Sequence, residues 1–251
     1  MKTFEKELER FSPVIRRLSN LSLLFKKVVV KGEENFVKEG PNIIIGNHIG
    51  TFKDIAVLFK YVPRPIFFTA NKMIFDKDEL NSLVQKHLKR NLKDFGMVLD
   101  RLINPVKMAL IKYISRNISK IGTIPVDLDA KKRLAFYNCQ QYLRTQKAII
   151  ALQGRGRVML DLPNPYVFPF RRGASILSYN LHKEGISVPV TPIAIYGTQI
   201  PLFIPGVVKL NIGKPMYIMD YLSNEATETI NRFKDVLEQR VRMLFKELIQ
   251  N

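Results

Sequence analysis

The stretch of sequence that decides the fold is Pro41-Asn42-Ile43-Ile44-Ile45-Gly46-Asn47-His48-Ile49-Gly50-Thr51-Phe52-Lys53-Asp54. Its uninterrupted apolar run is typical of a buried strand, and the run ends at Asn47 and His48. Thr51 is a helix-start residue, and Asp54 falls in the first turn of the helix that follows. A strand-to-helix junction of this kind can hold an imidazole beside a carboxylate. Such a pair can take a proton from an alcohol, so the stretch indicates an enzyme.

Strands and helices alternate along the rest of the chain. Helical patterns separate apolar runs that predict strands at 28–31, 43–46, 66–69, 121–126, 148–152, 188–196 and 207–212. This alternation predicts an α/β fold, with a mixed, mostly parallel sheet flanked by helices. A chain of 251 residues that are 46% hydrophobic can bury a full core as one such domain.

The sequence pattern of residues 1–27 predicts an amphipathic helical segment. Apolar side chains recur at spacings of three and four, at Phe4, Leu8, Phe11, Ile15 and Leu18. Such a helix either packs on the domain or lies on a membrane with its basic side chains near lipid phosphates, and the sequence leaves both readings open. We therefore divide the chain into this segment and a main domain at 28–251.

The chain is strongly basic. It has 40 Lys and Arg against 22 Asp and Glu, which gives a formal net charge of +18. This excess points to an anionic partner, which could be a nucleic acid, an acidic lipid, a phosphorylated substrate or an acidic protein. A nucleic acid is the least favoured partner, because the basic residues are scattered and no nucleic-acid-binding motif is present.

The single cysteine, Cys139, excludes an internal disulfide framework and is typical of a reducing compartment. No run reaches the roughly 18 uncharged apolar residues of a membrane-spanning helix. No secretory signal is visible either, because acidic residues occur throughout the N-terminal region. We expect a protein that is soluble or that rests on a membrane surface.

Four blocks follow one another along the chain, namely Asn47-His48 to Asp54, Gly122 to Asp127, Leu152 to Arg157 with Phe170 to Ala174 behind it, and Val188 to Ala194 with Gly197-Thr198. In their order and spacing these blocks resemble the glycerolipid acyltransferase family. The best-known member of that family makes phosphatidic acid from 1-acylglycerol 3-phosphate. The resemblance covers about Val28 to Ile218 and implies that 28–251 is an acyltransferase domain.

The resemblance implies an O-acyltransferase of phospholipid biosynthesis. Such an enzyme moves a fatty acyl group from acyl-CoA or acyl carrier protein to the hydroxyl of a lysophospholipid. His48 then corresponds to the general base, and Asp54 to the carboxylate that orients it. Acceptor and phosphate binding falls to Arg155, Arg157, Gly154 and Gly156. Further candidates for contacts with the acyl donor or the membrane are Lys72, Arg171 and Arg172.

The resemblance also implies the protein's surroundings. We expect no metal, and no cofactor besides the thioester donor. The expected partners are an anionic membrane surface, the acyl donor and the lysophospholipid acceptor. The expected location is peripheral, or monotopic, on the cytoplasmic face of a membrane.

The chain departs from the family pattern at three places. The family has four residues between the His and the Asp, whereas here there are five. The extra residue is best placed at Gly50, where glycine could form a small bulge that leaves the pair closed. Leu128 stands where the family usually carries an Arg, and the third block has Gln153 or Gly154 in place of its Glu.

These departures keep alternatives open. One is an acyltransferase whose acceptor has no phosphomonoester, such as an aminolipid or a glycolipid. Another is a non-catalytic lipid-binding relative in which the longer gap has broken the pair. Taken alone, the Thr51-to-Asp54 pattern also fits a helix cap, although a carboxylate with two oxygens can serve both purposes.

Overall fold

The computed structural model of the chain describes residues 13, 15–17, 19–71, 75–86, 104–117, 123–126, 132–201 and 204–250. Contacts divide the chain into two compact units. The larger unit joins Pro13–Phe67 to Phe136–Asn251, and the smaller one joins Met1–Ser12 to Phe68–Ala135. The division after residue 27 rests on sequence pattern and stays a prediction.

The strands, in chain order, are β1 (Lys26–Lys31), β2 (Asn42–His48), β3 (Ile66–Asn71), β4 (Thr123–Val126), β5 (Ala148–Gly154), β6 (Val190–Tyr196) and β7 (Gly206–Ile212). Within the larger unit their order is β1-β7-β6-β2-β5. β1 is parallel to β7, and β2 is parallel to both β5 and β6, whereas β6 and β7 are antiparallel. The predicted fold class, with a mixed and mostly parallel sheet, is confirmed.

The apolar run of β2 reflects its place inside this sheet, between β6 and β5. Every residue of β2 before His48 is buried, because strands flank it on both sides and the C-terminal helix Ala226–Gln250 contacts it. Since β2 and β5 are parallel, their carboxyl ends lie at the same edge of the sheet. His48 is paired there with Gly154.

The helices are α1 (Phe52–Tyr61), α2 (Asn104–Asn117), α3 (Lys132–Arg144), α4 (Gly173–Lys183) and α5 (Ala226–Gln250), with short 3-10 turns at Glu33–Asn35 and Ile218–Tyr221. Residues 19–22 and 77–86 are also helical. α5 packs on β6 and β7 through an apolar stripe that includes Phe233, Leu237, Val241, Leu244 and Leu248. The periodicity of the sequence predicted this stripe correctly.

In the smaller unit, β4 pairs in parallel with β3, with Phe68 opposite Thr123. The unit also contains the helical residues 77–86 and α2. Several sequence predictions fall on positions that lie outside the described residues. They concern Lys72, Leu128 and the two ends of the second block, Gly122 and Asp127.

The predicted N-terminal helix ends earlier than expected. Its periodicity suggested a helix as far as residue 27, but β1 begins at Lys26. Lys26 pairs with Gly206 of β7, and its ammonium donates to the carbonyls of Pro201 and Ile204. These long-range partners outweigh the local helical pattern. Within the described part of the chain, no helix combines the length and apolar character that crossing a membrane would need.

Candidate active site

The candidate site lies where β2 and β5 end side by side. Asn47 is opposite Gln153 and His48 is opposite Gly154, so the first and third sequence blocks meet at the carboxyl edge of the sheet. The chain then turns from His48 into α1, which brings Asp54 back towards the strand end. The parallel pairing therefore assembles the site from segments that are far apart in sequence.

His48 and Asp54 are in direct contact. His48 Nδ1 lies 2.8 Å from Asp54 Oδ2. The Asp54 side chain is fully buried, whereas that of His48 is 25% exposed. Within the described residues no hydrogen bond involves His48 Nε2, so this nitrogen is available to a bound molecule. The five-residue gap therefore leaves the pair closed.

Asp54 also holds the turn that leads into its own helix. Its Oδ2 accepts hydrogen bonds from the backbone N–H groups of Ile49 at 2.9 Å and Gly50 at 2.8 Å. Both donors belong to the turn before the helix, whose N-cap is Thr51. The turn and the imidazole therefore share one oxygen, Oδ2, and the helix cap that the Thr51-to-Asp54 pattern also fitted is not formed, since the helix has no side-chain cap at Thr51.

The extra residue of the His-Asp gap is accommodated by two neighbours. Thr51 adopts a positive φ of 53°, a conformation that costs a side-chain-bearing residue about 1–3 kcal/mol. Gly50 is needed for space, because a Cβ there would overlap Thr198 and lie 2.8 Å from Asp54 Oδ1. The bulge expected at Gly50 therefore involves two residues. Thr51 adopts the unusual backbone angle, and Gly50 allows the close approach of Thr198.

Thr198 completes the surroundings of the carboxylate. This fully buried residue follows β6, and its Oγ1 donates to Asp54 Oδ1 at 2.5 Å. Sequence reasoning did not select it as a site residue, although Gly197-Thr198 closes the fourth block. Its position just after a predicted strand could have identified it in the sequence, because the ends of neighbouring parallel strands often carry functional side chains.

Asn47 fixes the end of β2. Its side chain is fully buried, with Nδ2 donating to the carbonyl of Ile195 at 2.8 Å and to that of Tyr166 at 3.2 Å. Its Oδ1 accepts the backbone N–H of Ile195 at 2.8 Å. The backbone ladder between β2 and β6 runs only as far as Gly46 and Ile193, so the amide of Asn47 extends this pairing beside His48.

The loop after β5 packs against His48. The backbone N–H of Gly156 donates to the His48 carbonyl at 3.1 Å. A Cβ on Gly156 would lie 3.2 Å from His48 Nε2, and one on Gly154 would lie 2.6 Å from His48 O. Both glycines have positive φ, 141° at Gly154 and 68° at Gly156. They keep the space beside the imidazole open, while their predicted part in acceptor binding stays a prediction.

The four candidate arginines lie in two pairs beyond β5. Arg155 is exposed and Arg157 half-buried, and neither guanidinium has a hydrogen bond or ion pair within the described residues. Arg171 and Arg172 are exposed just before α4. Gln153 links the two segments, since its Oε1 accepts the Arg171 N–H at 3.1 Å. Their predicted ligand contacts are untested.

A buried lysine lies beside the His48–Asp54 pair. Lys53 is only 7% exposed, and its ammonium donates to the carbonyl of Ile200. Burial and the neighbouring charge of Lys26 lower the pKa of Lys53, while Asp54 raises it. Among the described residues, no group of three or more His, Cys, Asp or Glu side chains is placed to hold a metal ion.

Comparison with solved structures identifies a protein of similar fold. It is PlsC from Thermotoga maritima, a 1-acyl-sn-glycerophosphate (LPA) acyltransferase. The TM-score is 0.62 at 20% sequence identity, over 100% of this chain and 85% of that one. The sequence matches no protein-family model and no curated protein. The shared architecture is the fold that the resemblance implied.

Proposed function

We propose that this chain is an O-acyltransferase that moves a fatty acyl group from acyl-CoA or acyl carrier protein to the hydroxyl of a lysophospholipid. The preferred acceptor is 1-acylglycerol 3-phosphate, which gives phosphatidic acid. The observation that carries the proposal is the contact between His48 and the buried Asp54, with Nε2 left available. The fold shared with a 1-acylglycerophosphate acyltransferase supports it.

In this mechanism His48 acts as the general base. Its Nε2 takes the proton of the acceptor hydroxyl as the oxygen attacks the thioester carbonyl. Asp54 accepts a hydrogen bond from Nδ1–H, which selects the tautomer with a basic Nε2 and stabilises the imidazolium that forms. When the tetrahedral intermediate collapses, the C–S bond breaks and the thiolate takes the proton back from His48. The products are an ester and a free thiol.

The acceptor phosphate is assigned to the loop after β5. Arg155 and Arg157 flank Gly156, whose backbone contacts His48. An acceptor whose phosphate is bound by these arginines would therefore have its hydroxyl near Nε2. Guanidinium groups suit phosphate because their N–H donors form a planar fork. No carboxylate of the described residues pairs with either arginine, which leaves both charges for a ligand.

A second acceptor class is favoured by one observation. Gln153 stands near the place of the family's Glu, and its amide is occupied internally by Ala151 and Arg171. An acceptor without a phosphomonoester, such as an aminolipid or a glycolipid, is therefore the alternative. A non-catalytic lipid-binding role is the remaining alternative, and the closed contact between His48 and Asp54 argues against it.

The proposed setting is the cytoplasmic face of a membrane, with the chain bound peripherally. Several large apolar side chains near the start of β1 and the loop before β7 are exposed, namely Leu21, Leu24, Phe25 and Ile204. Phe25 and this loop are adjacent, since the Gly206 N–H donates to the Phe25 carbonyl at 3.2 Å. Phe52, in the first turn of α1, is also exposed. Together with the +18 charge, these side chains suit an anionic lipid surface.

An acyl-transfer assay across donors and acceptors tests the proposal. We expect ester formation from acyl-CoA or acyl carrier protein with 1-acylglycerol 3-phosphate, and a loss of about 100- to 10,000-fold in kcat for His48→Ala, the range that general bases contribute. His182→Ala, which changes a histidine on α4, is the matched control and should keep wild-type activity. The assignment would be refuted if transfer persisted in His48→Ala, or if none of the acceptors in the panel became acylated.

A further inference from the structure

The Asp54 carboxylate uses its two oxygens differently. Oδ2 receives His48 Nδ1 and the N–H groups of Ile49 and Gly50. Oδ1 receives the hydroxyl of Thr198 at 2.5 Å, the only hydrogen bond to that oxygen among the described residues. Asp54 and Thr198 are both fully buried, so water does not replace this donor. A buried carboxylate oxygen without a donor is costly.

The loop that carries Thr198 is held from several sides. The Gly197 N–H donates to Gln199 Oε1 at 2.9 Å, and a Cβ at Gly197 would overlap the backbone of Val207. The ammonium of Lys53 holds the carbonyl of Ile200, and that of Lys26 holds Pro201 at 2.8 Å. Because Lys53 is the residue before Asp54, the loop and the start of α1 are joined at two points. The hydroxyl of Thr198 is therefore aimed at Asp54 by a restrained backbone.

The absence of a side chain at Gly50 makes room for the side chain of Thr198. A Cβ at position 50 would occupy the space of Thr198 Cβ and Oγ1. The same glycine gives its backbone N–H to Asp54 Oδ2. Glycine at this point thus allows one carboxylate to be held on one oxygen by the strand-to-helix turn and on the other by the loop after β6.

We propose that Thr198 is a positioning residue for the His48–Asp54 pair and that Gly50 is the residue that lets its hydroxyl reach Asp54. By fixing Oδ1, Thr198 stops the carboxylate from rotating and keeps Oδ2 on His48 Nδ1. Its effect on turnover rests on the proposed function, because it acts through the general base. Its effect on the imidazole does not depend on any substrate.

The kinetic test compares Thr198→Val, which removes the hydroxyl at nearly constant volume, with Thr198→Ser, which keeps it. We expect kcat to fall about 10- to 100-fold in the valine variant, the range for one hydrogen bond to a charged group. The KM for both substrates should stay within about twofold, because Thr198 contacts neither substrate in this assignment. The serine variant should recover most of the lost kcat.

A matched control separates positioning from folding. Thr191 is equally buried on β6, and its hydroxyl donates to Asn42 Oδ1 at 3.1 Å, at the opposite end of β2 from His48. Thr191→Val therefore removes a buried hydroxyl without touching the dyad and should keep wild-type kcat. If Thr198→Val does not fold, Thr198→Ala provides the same test, since it removes the hydroxyl without adding a second methyl group.

Nitrogen-15 NMR of the His48 ring tests the proposal without any acyl transfer, with His48→Ala to assign the signals. In the wild type and in Thr198→Ser we expect a single Nδ1–H tautomer and a slowly exchanging Nδ1 proton. In Thr198→Val that proton should exchange faster and the tautomers should mix. Wild-type ring signals in the valine variant would overturn the positioning role. A wild type that transfers no acyl group would overturn only the proposed function, and the ring signals would still decide this inference.

Discussion

At the scale of single residues, Lys53 shows how the site affects stability. Its ammonium is buried beside Asp54 and reaches the carbonyl of Ile200. Desolvation and the charge of Lys26 lower its pKa below the ordinary 10.5, against the opposing effect of Asp54. Folding therefore favours the neutral form of this lysine more than the unfolded chain does.

We predict that this lysine makes stability depend on pH. Between its lowered native pKa and 10.5 the unfolded chain binds more protons at Lys53 than the native chain does, so the Lys53 contribution to stability rises with pH. Lys53→Met removes that contribution, and it also leaves the Ile200 carbonyl without its donor, a pH-independent cost of about 1–3 kcal/mol. Urea unfolding followed from neutral pH to about pH 10 measures the difference.

The exposed Lys183, at the end of α4, offers the matched control. Lys183→Met should keep the pH dependence of the wild type, while Lys53→Met should show a shallower rise. Parallel stability curves for the wild type and Lys53→Met would contradict the prediction.

At the scale of elements, the start of α1 is built around an extra residue. The positive φ of Thr51 and the missing side chain of Gly50 let the turn hold five residues between His48 and Asp54. The N–H groups of Ile49 and Gly50 both point at Asp54, so the turn itself forms part of the carboxylate's surroundings. The five-residue spacing between His48 and Asp54 is thus accommodated by a defined turn with its own hydrogen bonds to the carboxylate.

Deleting Gly50 should therefore harm the site. We predict that kcat falls about 100-fold or more, because the shortened turn loses one donor to Asp54 and changes the placement of His48, the proposed general base. Deleting Gly185, an exposed glycine of positive φ in the turn after α4, is the control and should leave kcat nearly unchanged. Acyl-transfer rates of both folded variants decide the question, and unchanged or higher activity without Gly50 would mean that the bulge is incidental.

At the scale of the whole molecule, the net charge of +18 and the exposed apolar side chains support the proposed membrane binding. Each Lys or Arg near an anionic bilayer contributes about 1 kcal/mol, and this attraction weakens with salt. Apolar side chains add to it when they enter the interface, with up to about 1.5–3 kcal/mol for full burial.

We predict that the protein binds vesicles of phosphatidylcholine with phosphatidylserine more tightly than vesicles of phosphatidylcholine alone, and that it does not bind duplex DNA at physiological salt. Phe25→Ser combined with Ile204→Ser should weaken vesicle binding, because both side chains are exposed and lie on adjacent segments. Met243→Ser, at an exposed apolar position on α5, is the control. Vesicle co-sedimentation measures all three, and equal binding by the double variant and the control would reject this membrane-facing surface.

Much of the architecture followed from local sequence pattern. The run before His48 predicted β2, Thr51 predicted the start of α1, and the apolar stripe of α5 was visible from its spacing. Hydrophobic periodicity carries such information because each element must bury one face. The order of the four blocks indicated the resemblance to an acyltransferase fold, and the pairing of His48 with Gly154 brings the first and third blocks together.

Other features were decided by the tertiary structure alone. Thr198 reaches Asp54 across a separation of 144 residues, and β1 begins at Lys26 because its partners lie on β7 and the loop before it. Gly50 was expected to supply an unusual backbone angle, yet Thr51 adopts it and Gly50 supplies space. The sequence by itself determined the elements and the identity of the His-Asp pair, because these depend on neighbours along the chain. Only the folded chain determined which donors surround the carboxylate, because that depends on the path of loops that no local pattern encodes.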